Sequence, residues 1–263
     1  MNHSVEGALA MVPALESRRK AQATGAPSAA ELYQFSLMSA LFEGLYEGEV
    51  TYGSLREHGD FGLGTFNDLD GEMVAFDGNF YQLRSDGSAH PVDPEQKTPF
   101  AVVTFFKAAV QQEIWSTTTK KDLQELIQTL TSDNLFYAIK VDGLFASVTT
   151  RTVNPQKKPF SNLSEAASNQ KTSEFRSVKG TLAGFRSPAY AQGVGLPGFY
   201  FHFLREDHLA GGHALEYVLS NGTLAIAHNA VFTSSCHKRP SSKAPTLTTL
   251  HCSQECAKQR VKD

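Results

Sequence analysis

Between residues 50 and 92 the chain carries five turn signals in quick succession: HGD, LGT, LDGE, FDGN and SDGS. The runs between them, GEMVAF and NFYQL, are too short for helices and alternate apolar with polar residues, the period of a half-buried strand. Asp77-Gly78 sits between two such runs. That dipeptide tolerates the positive φ of a tight hairpin turn, so it predicts a β-hairpin. A chain punctuated in this way must build much of its core from paired strands.

The same reading extends along the chain. TPFAVVTFF (98–106) is an apolar strand. LFYAIKVDGLFASVTTRTV (135–153) reads as two strands turning at Asp142-Gly143, and Asn221-Gly222 marks a further hairpin. Gly62-Leu63-Gly64 reads as a turn; no strand-then-helix context makes it a dinucleotide fingerprint. Two segments have helical spacing. In 31–45, Leu32, Phe35, Met38, Leu41, Phe42 and Leu45 form one stripe, and DLQELIQTL (122–130) follows an early Asp122. These signals divide the chain into a polar leader (1–30), an α+β domain (31–153), a polar linker with two prolines (154–173), a second β-rich domain (174–233) and a polar tail (234–263). Gly64-Thr65-Phe66 and Gly180-Thr181-Leu182 echo one another, a trace of duplication.

Bulk properties narrow the function classes. Apolar residues make up 41% and charged residues 19%, an ordinary soluble composition, and the net charge of −3 offers no electrostatic footprint for nucleic acid or membrane. No apolar run reaches the ~20 residues needed to span a bilayer, and the N-terminus lacks a secretory pattern. The three cysteines, Cys236, Cys252 and Cys256, lie near the C-terminus. An odd number in one tail is not a disulfide framework, so free thiols and a cytoplasmic location are expected.

The chemistry-bearing residues centre on FYFHFLREDHLAGGH (199–213). Period two puts Phe199, Phe201 and Phe203 on one face and Tyr200, His202 and Leu204 on the other. After the turn, the return strand is expected to carry His213, Leu215 and Tyr217 on one side. If the strands pair, His202 and His213 converge. The pair reads either as two corners of a metal site or as buried, hydrogen-bonded histidines. Glu72 shares its face with Val74 and Phe76. It is either a general acid or base with a raised pKa or an edge carboxylate with a local donor. Arg151, a cation on a strand, either forks onto a substrate carboxylate or makes a surface ion pair.

Read together, HGDFGLGTFNDLDGEMVAFDGNFYQLRSDGSA, IKVDGLFASVTTRTV, VKGTLAGFRSPAY and LPGFYFHFLREDHLAGGH closely resemble α-acetolactate decarboxylase, in order, from about residue 31 to 233. The resemblance implies two similar α+β domains with mixed, largely antiparallel β-sheets and a few helices, in a homodimer. It implies a lyase converting 2-acetolactate, a small keto acid, to acetoin and carbon dioxide through an enediolate, with Zn2+ held by a His-x-His pair and a later His after Gly-Gly. The later two ligands fall on His202 and His213. The first falls on Tyr200, a departure. Catalytic roles fall on Glu72 and Arg151, and a substrate contact on Thr65. The family's C-terminal Glu has Glu255 as its nearest match. Tyr200 then has three roles open to it. It ligates as phenolate, it leaves the metal to two histidines and another donor, or it fills a metal-free site as a hydrogen-bond donor facing substrate.

Overall fold

The computed structural model describes residues 31–236. The leader expected over 1–30 and nearly all of the expected tail, with Cys252, Glu255 and Cys256, lie outside the described residues. In chain order the elements are β1 (Glu31–Phe35), α1 (Met38–Phe42), β2 (Val50–Thr51), α2 (Tyr52–Leu55), β3 (Phe61–Thr65), β4 (Glu72–Phe76), β5 (Asn79–Leu83), β6 (Ala89–Pro91), β7 (Lys97–Thr98) and β8 (Phe100–Thr104). There follow β9 (Val110–Ile114), β10 (Thr118–Thr119), α3 (Lys120–Leu130), β11 (Phe136–Thr152), α4 (Leu163–Ala166), β12 (Lys171–Ser187), β13 (Gly198–Arg205), β14 (Gly211–Asn229) and β15 (Val231–Ser235).

The fold is α+β with mixed, largely antiparallel sheets. The first sheet runs β15-β1-β8-β3-β4-β5-β6, antiparallel except for the parallel β1–β15 pair. The expected hairpin is there: β4 and β5 pair through Asp77 (φ 52°) and Gly78 (φ 76°), both in the left-handed region that such a turn demands. In the second sheet β11 pairs with both β12 and β14, β12 pairs with β13, and β13 pairs back onto β14. These four strands therefore close on themselves. Phe145, Val148, Phe203, Tyr217 and Leu219 fill the core they enclose, joined by Leu123 and Ile127 of α3. α3 starts on a capping box, with the Thr119 side chain and Asp122 each satisfying the other's backbone N–H.

The two sheets share a second core. Leu63, Val74 and Phe76 of the first pack against Ala183, Phe185 and Leu204 of the second. Polar ties cross the same interface. Buried Asn229 donates from Nδ2 to Thr104 Oγ1 at 2.6 Å, and Lys140 donates to Asp77 at 2.7 Å.

Several expectations give way to tertiary context. The 31–45 stripe is a strand followed by one helical turn, broken at Ser36 (φ 68°). Gln34, polar in a helical reading, is buried, and β1 is held between β15 and β8. Sheet pairing here overrides a spacing that fits a helix. Gly62-Leu63-Gly64 is the body of β3, not a turn. Asp142-Gly143 and Asn221-Gly222 are not hairpins either: β11 and β14 run through them unbroken. Gly180, Gly143 and Gly222 instead lie side by side in one row across β12, β11 and β14. A Cβ on Gly143 would stand 2.4 Å from the Asn221 carbonyl oxygen and 2.9 Å from Gly222 Cα. The row lets the backbones approach where the strands coil, a role of strand glycine that local sequence shares with turns. The division expected between 31–153 and 174–233 does not follow the sheets. β9, β10 and β11 belong to the second sheet and β15 returns to the first. The expected linker holds α4 and yields to β12 at Lys171.

Substituting Gly143→Ala is expected to cost about 3 kcal/mol, a fall in Tm on the order of 10 °C, because the nearest clash is with the backbone of β14, which cannot swing aside as a side chain can. A thermal melt within a degree or two of the parent would show that the row is not a close-approach constraint.

Candidate active site

The closure of β13 onto β14 assembles the site. Arg151 of β11 lies opposite His213 of β14, and His213 lies opposite His202 of β13. Cross-strand partners share a face, so all three project from one side of the sheet in a row. The Gly-Gly before His213 explains how β14 comes so close. A Cβ on Gly211 would sit 2.2 Å from the Phe203 carbonyl oxygen, and one on Gly212 3.0 Å from that of Arg151. The row faces the first sheet, where β4 begins with Glu72, side by side with Thr65 of β3.

One expectation about β14 needs correction. His213 and Tyr217 do not share a face, because the register slips between Thr149/Glu216 and Thr150/Ala214, leaving Leu215 as an extra residue. This bulge turns Tyr217 into the enclosed core beside Ala214 while His213 stays with the site.

His202 is fully buried, and its Nδ1 is 2.8 Å from the Met73 carbonyl oxygen. A carbonyl only accepts, so Nδ1 carries the proton and Nε2 keeps a bare lone pair. That Nε2 has no hydrogen-bond partner, and neither does the buried Nδ1 of His213. Burial, helped by the Arg151 cation, pushes the His202 pKa down to about 4 and that of His213 well below its usual value, so both rings are neutral. Glu72 Oε2 stands 3.7 Å from His202 Nε2, too far for a hydrogen bond. Burial pushes the Glu72 carboxyl up to about 7, against the opposing pull of Arg151. Among the described residues the Arg151 guanidinium has no hydrogen bond or ion pair. It borders an open groove of about 1110 Å³, together with His213 and Tyr200.

Tyr200 occupies the position between the histidines. Its ring centroid is 4.5 Å from that of His213 and 5.4 Å from that of His202. Burial first, then the nearby Glu72, raises its pKa, so the phenol keeps its proton. Thr65 is buried, and its hydroxyl donates to the Gly71 carbonyl at 2.8 Å, which leaves it only acceptor capacity toward a ligand.

Two neutral, buried imidazoles, each with a ring nitrogen that has no hydrogen-bond partner, are the chemistry a divalent metal seeks, and the Met73 carbonyl at His202 is an orienting partner of the kind metal-binding histidines use. The 3.7 Å between Glu72 and His202 is close to the ~3.4 Å that separates two ligands of one tetrahedral ion. Among the described residues no three His, Cys, Asp or Glu side chains form a metal-binding group. A third donor would therefore come from elsewhere, with the Tyr200 phenol beside both rings. The row Arg151, His213, His202 and its neighbour Glu72 were all visible in sequence. The Met73 carbonyl was not, because a backbone acceptor leaves no signature in side-chain identity.

Leaving a buried nitrogen unpaired costs about 1–3 kcal/mol. Metal-stripped protein carrying His213→Leu is thus expected to melt about 2–8 °C above the metal-stripped parent. A lower Tm in the variant would mean that His213 stabilises the chain through contacts of its own.

Comparison with known proteins agrees with this architecture. The family model for alpha-acetolactate decarboxylase matches residues 32–244. The chain is 45% identical over 202 residues to the alpha-acetolactate decarboxylase of Methanosarcina mazei, covering 76% of this chain and 70% of that one. It is 46% identical over 196 residues to that of Klebsiella aerogenes, covering 74% and 75%. The crystal structure of alpha-acetolactate decarboxylase from Bacillus subtilis strain 168 superposes with a TM-score of 0.83 at 39% identity, over 86% of this chain and 97% of that one. Matched over most of its length in sequence and in fold, the chain belongs to the alpha-acetolactate decarboxylase family.

Proposed function

We propose that the protein is an acetolactate-decarboxylase-type carbon–carbon lyase that converts 2-acetolactate to acetoin and carbon dioxide. The observation that supports this most is the row of Arg151, His213 and His202 on one sheet facing Glu72 on the other, in a chain of this family. In the reaction the C1–C2 bond breaks and carbon dioxide leaves. The electron pair moves onto the ketone oxygen as an enediolate, and a proton is then delivered to C2. The Arg151 guanidinium orients the substrate carboxylate and offsets the charge that develops. Glu72, a largely buried carboxyl group, holds the proton that C2 receives.

His202 and His213 are the residues that would hold Zn2+, with the Tyr200 phenol beside both rings. When bound, zinc would supply Lewis-acid polarisation of the ketone and hydroxyl oxygens. The same reading takes a small keto acid as partner, a cytoplasmic location and a homodimeric assembly. No helix of the described residues is long and apolar enough to cross a membrane.

A second reading rests on Tyr200. A phenol that retains its proton is a poor ligand, so replacing the first histidine weakens a zinc site and suits a diverged lyase, isomerase or cyclase with another substrate. Elemental analysis together with an acetolactate assay separates the two. The first reading expects about one zinc per chain and acetoin formation, whereas metal-free protein inert toward acetolactate would favour the second. Glu72→Gln is expected to lower kcat by a factor of about 10²–10⁴ with an unchanged circular dichroism spectrum. Full activity in that variant would remove Glu72 from the proton step.

A further inference from the structure

The turn from β3 to β4, which brings Glu72 to the site, has an uncommon backbone. Asp68, Leu69 and Gly71 all have positive φ, at 61°, 54° and 99°. Glycine adopts that region freely and aspartate tolerates it, but a leucine crowds its own backbone there. Such strain persists only where the surroundings over-determine it, and it gathers at functional sites. Here the surroundings grip the turn from several elements. Leu69 is 4% exposed and lies in an apolar cluster with Met38, Leu41 and Phe42 of α1, Tyr46 and Phe100. The Asp68 N–H donates to the Tyr46 carbonyl at 2.8 Å, and the Asp68 carbonyl accepts from the Gln156 N–H at 2.6 Å. From β5, buried Gln82 donates through Nε2 to the Asp70 carbonyl. The Thr65 hydroxyl donates to the Gly71 carbonyl, in the peptide that leads into Glu72. Glu72 is the first residue of β4, so the end of this turn sets where it stands. Neither Leu69 nor Gln82 borders the groove beside Arg151 and His213.

We infer that this strained turn aims the Glu72 carboxyl at one face of the enediolate, with Leu69 and Gln82 as the positioning residues that hold it. The inference rests on the lyase reading above, in which Glu72 supplies the proton. Once carbon dioxide has left, C2 is planar. The enediolate electron pair takes the Glu72 proton to form the new C–H bond, the ketone is restored, and the carboxylate regains a proton from solvent. C2 becomes a stereocentre in that step, so delivery from one fixed face makes one hand of acetoin. Water has no fixed face and makes both. The turn therefore governs the handedness of the product through the placement of Glu72, without touching the substrate.

The test measures the ratio of the two hands of acetoin by chiral chromatography, with the zinc-supplemented full chain and 2-acetolactate, corrected for enzyme-free decarboxylation. The parent is expected to make one hand in excess. Leu69→Ala removes the apolar anchor and Gln82→Leu removes the donor to Asp70. Each is expected to cut the ratio at least about tenfold with KM unchanged, because a displacement of about 1 Å slows aimed delivery by up to about 100-fold and leaves delivery by water as it was. Leu69→Met, which keeps the apolar reach at similar volume, is expected to restore most of the ratio. A merely structural role would lower the amount of active enzyme and leave the ratio untouched. Two positions are used so that a folding failure at one leaves the other informative. If Glu72→Gln loses the ratio while folded Leu69→Ala and Gln82→Leu keep it, the positioning role is refuted and the lyase reading stands. An unchanged ratio in one of the two refutes the role of that residue. If the parent makes both hands equally, or Glu72→Gln keeps the parent's ratio, the proton step of the lyase reading falls and the inference with it.

Discussion

The site depends on the pairing of β13 with β14. β11 and β14 are long strands whose antiparallel register is fixed by many ladder bonds, and that register already places Arg151 beside His213. Only when β13 folds back onto β14 does His202 join them. Three residues distant in sequence thus become neighbours through backbone hydrogen bonds, with no direct bond between their side chains required. Gly211 and Gly212 make the approach possible by presenting no Cβ where the neighbouring backbone lies.

A second consequence of this arrangement is electrical. The row faces a first sheet that supplies Val74, Phe76 and Leu63, so ionisable groups sit in apolar surroundings. Burial works in opposite directions on the two kinds of group. It strips the imidazoles of their protons and makes the Glu72 carboxyl hold its own. Arg151, which is only half-buried, borders the wide groove together with His213, and water there can solvate its charge. A proton source, two lone-pair donors and a cation are sorted by their depth alone.

Legibility in the sequence followed the range of the forces involved. The β4–β5 hairpin was readable because Asp77 and Gly78 must both adopt positive φ, a local demand. α3 was readable because its cap and its buried Leu123 and Ile127 lie within one segment. The site was readable residue by residue: Glu72 on an apolar face, and His202 opposite the phenylalanines. What escaped was set at longer range. The Asp-Gly and Asn-Gly pairs at 142 and 221 look like turns to any local rule, yet their glycines serve contacts across three strands. β1 was misread as helical because nothing local shows that Gln34 is buried, with the carbonyls of Ser36 and distant Val194 as its partners. Where the sheets divide the chain could not be read either, since β15 joins the first sheet from the far end of the sequence.

The extra residue at Leu215 gives β14 two addresses at once. Upstream of it the odd-numbered His213 looks toward substrate, and downstream the odd-numbered Tyr217 looks into the packed interior. Chemistry and packing are thereby written in separate phases of a single strand. Residues on either side of the offset can change without dragging the other set out of alignment, whereas losing that one residue would swap inside for outside over half the strand. An insertion that small is the hinge on which the strand's division of labour turns.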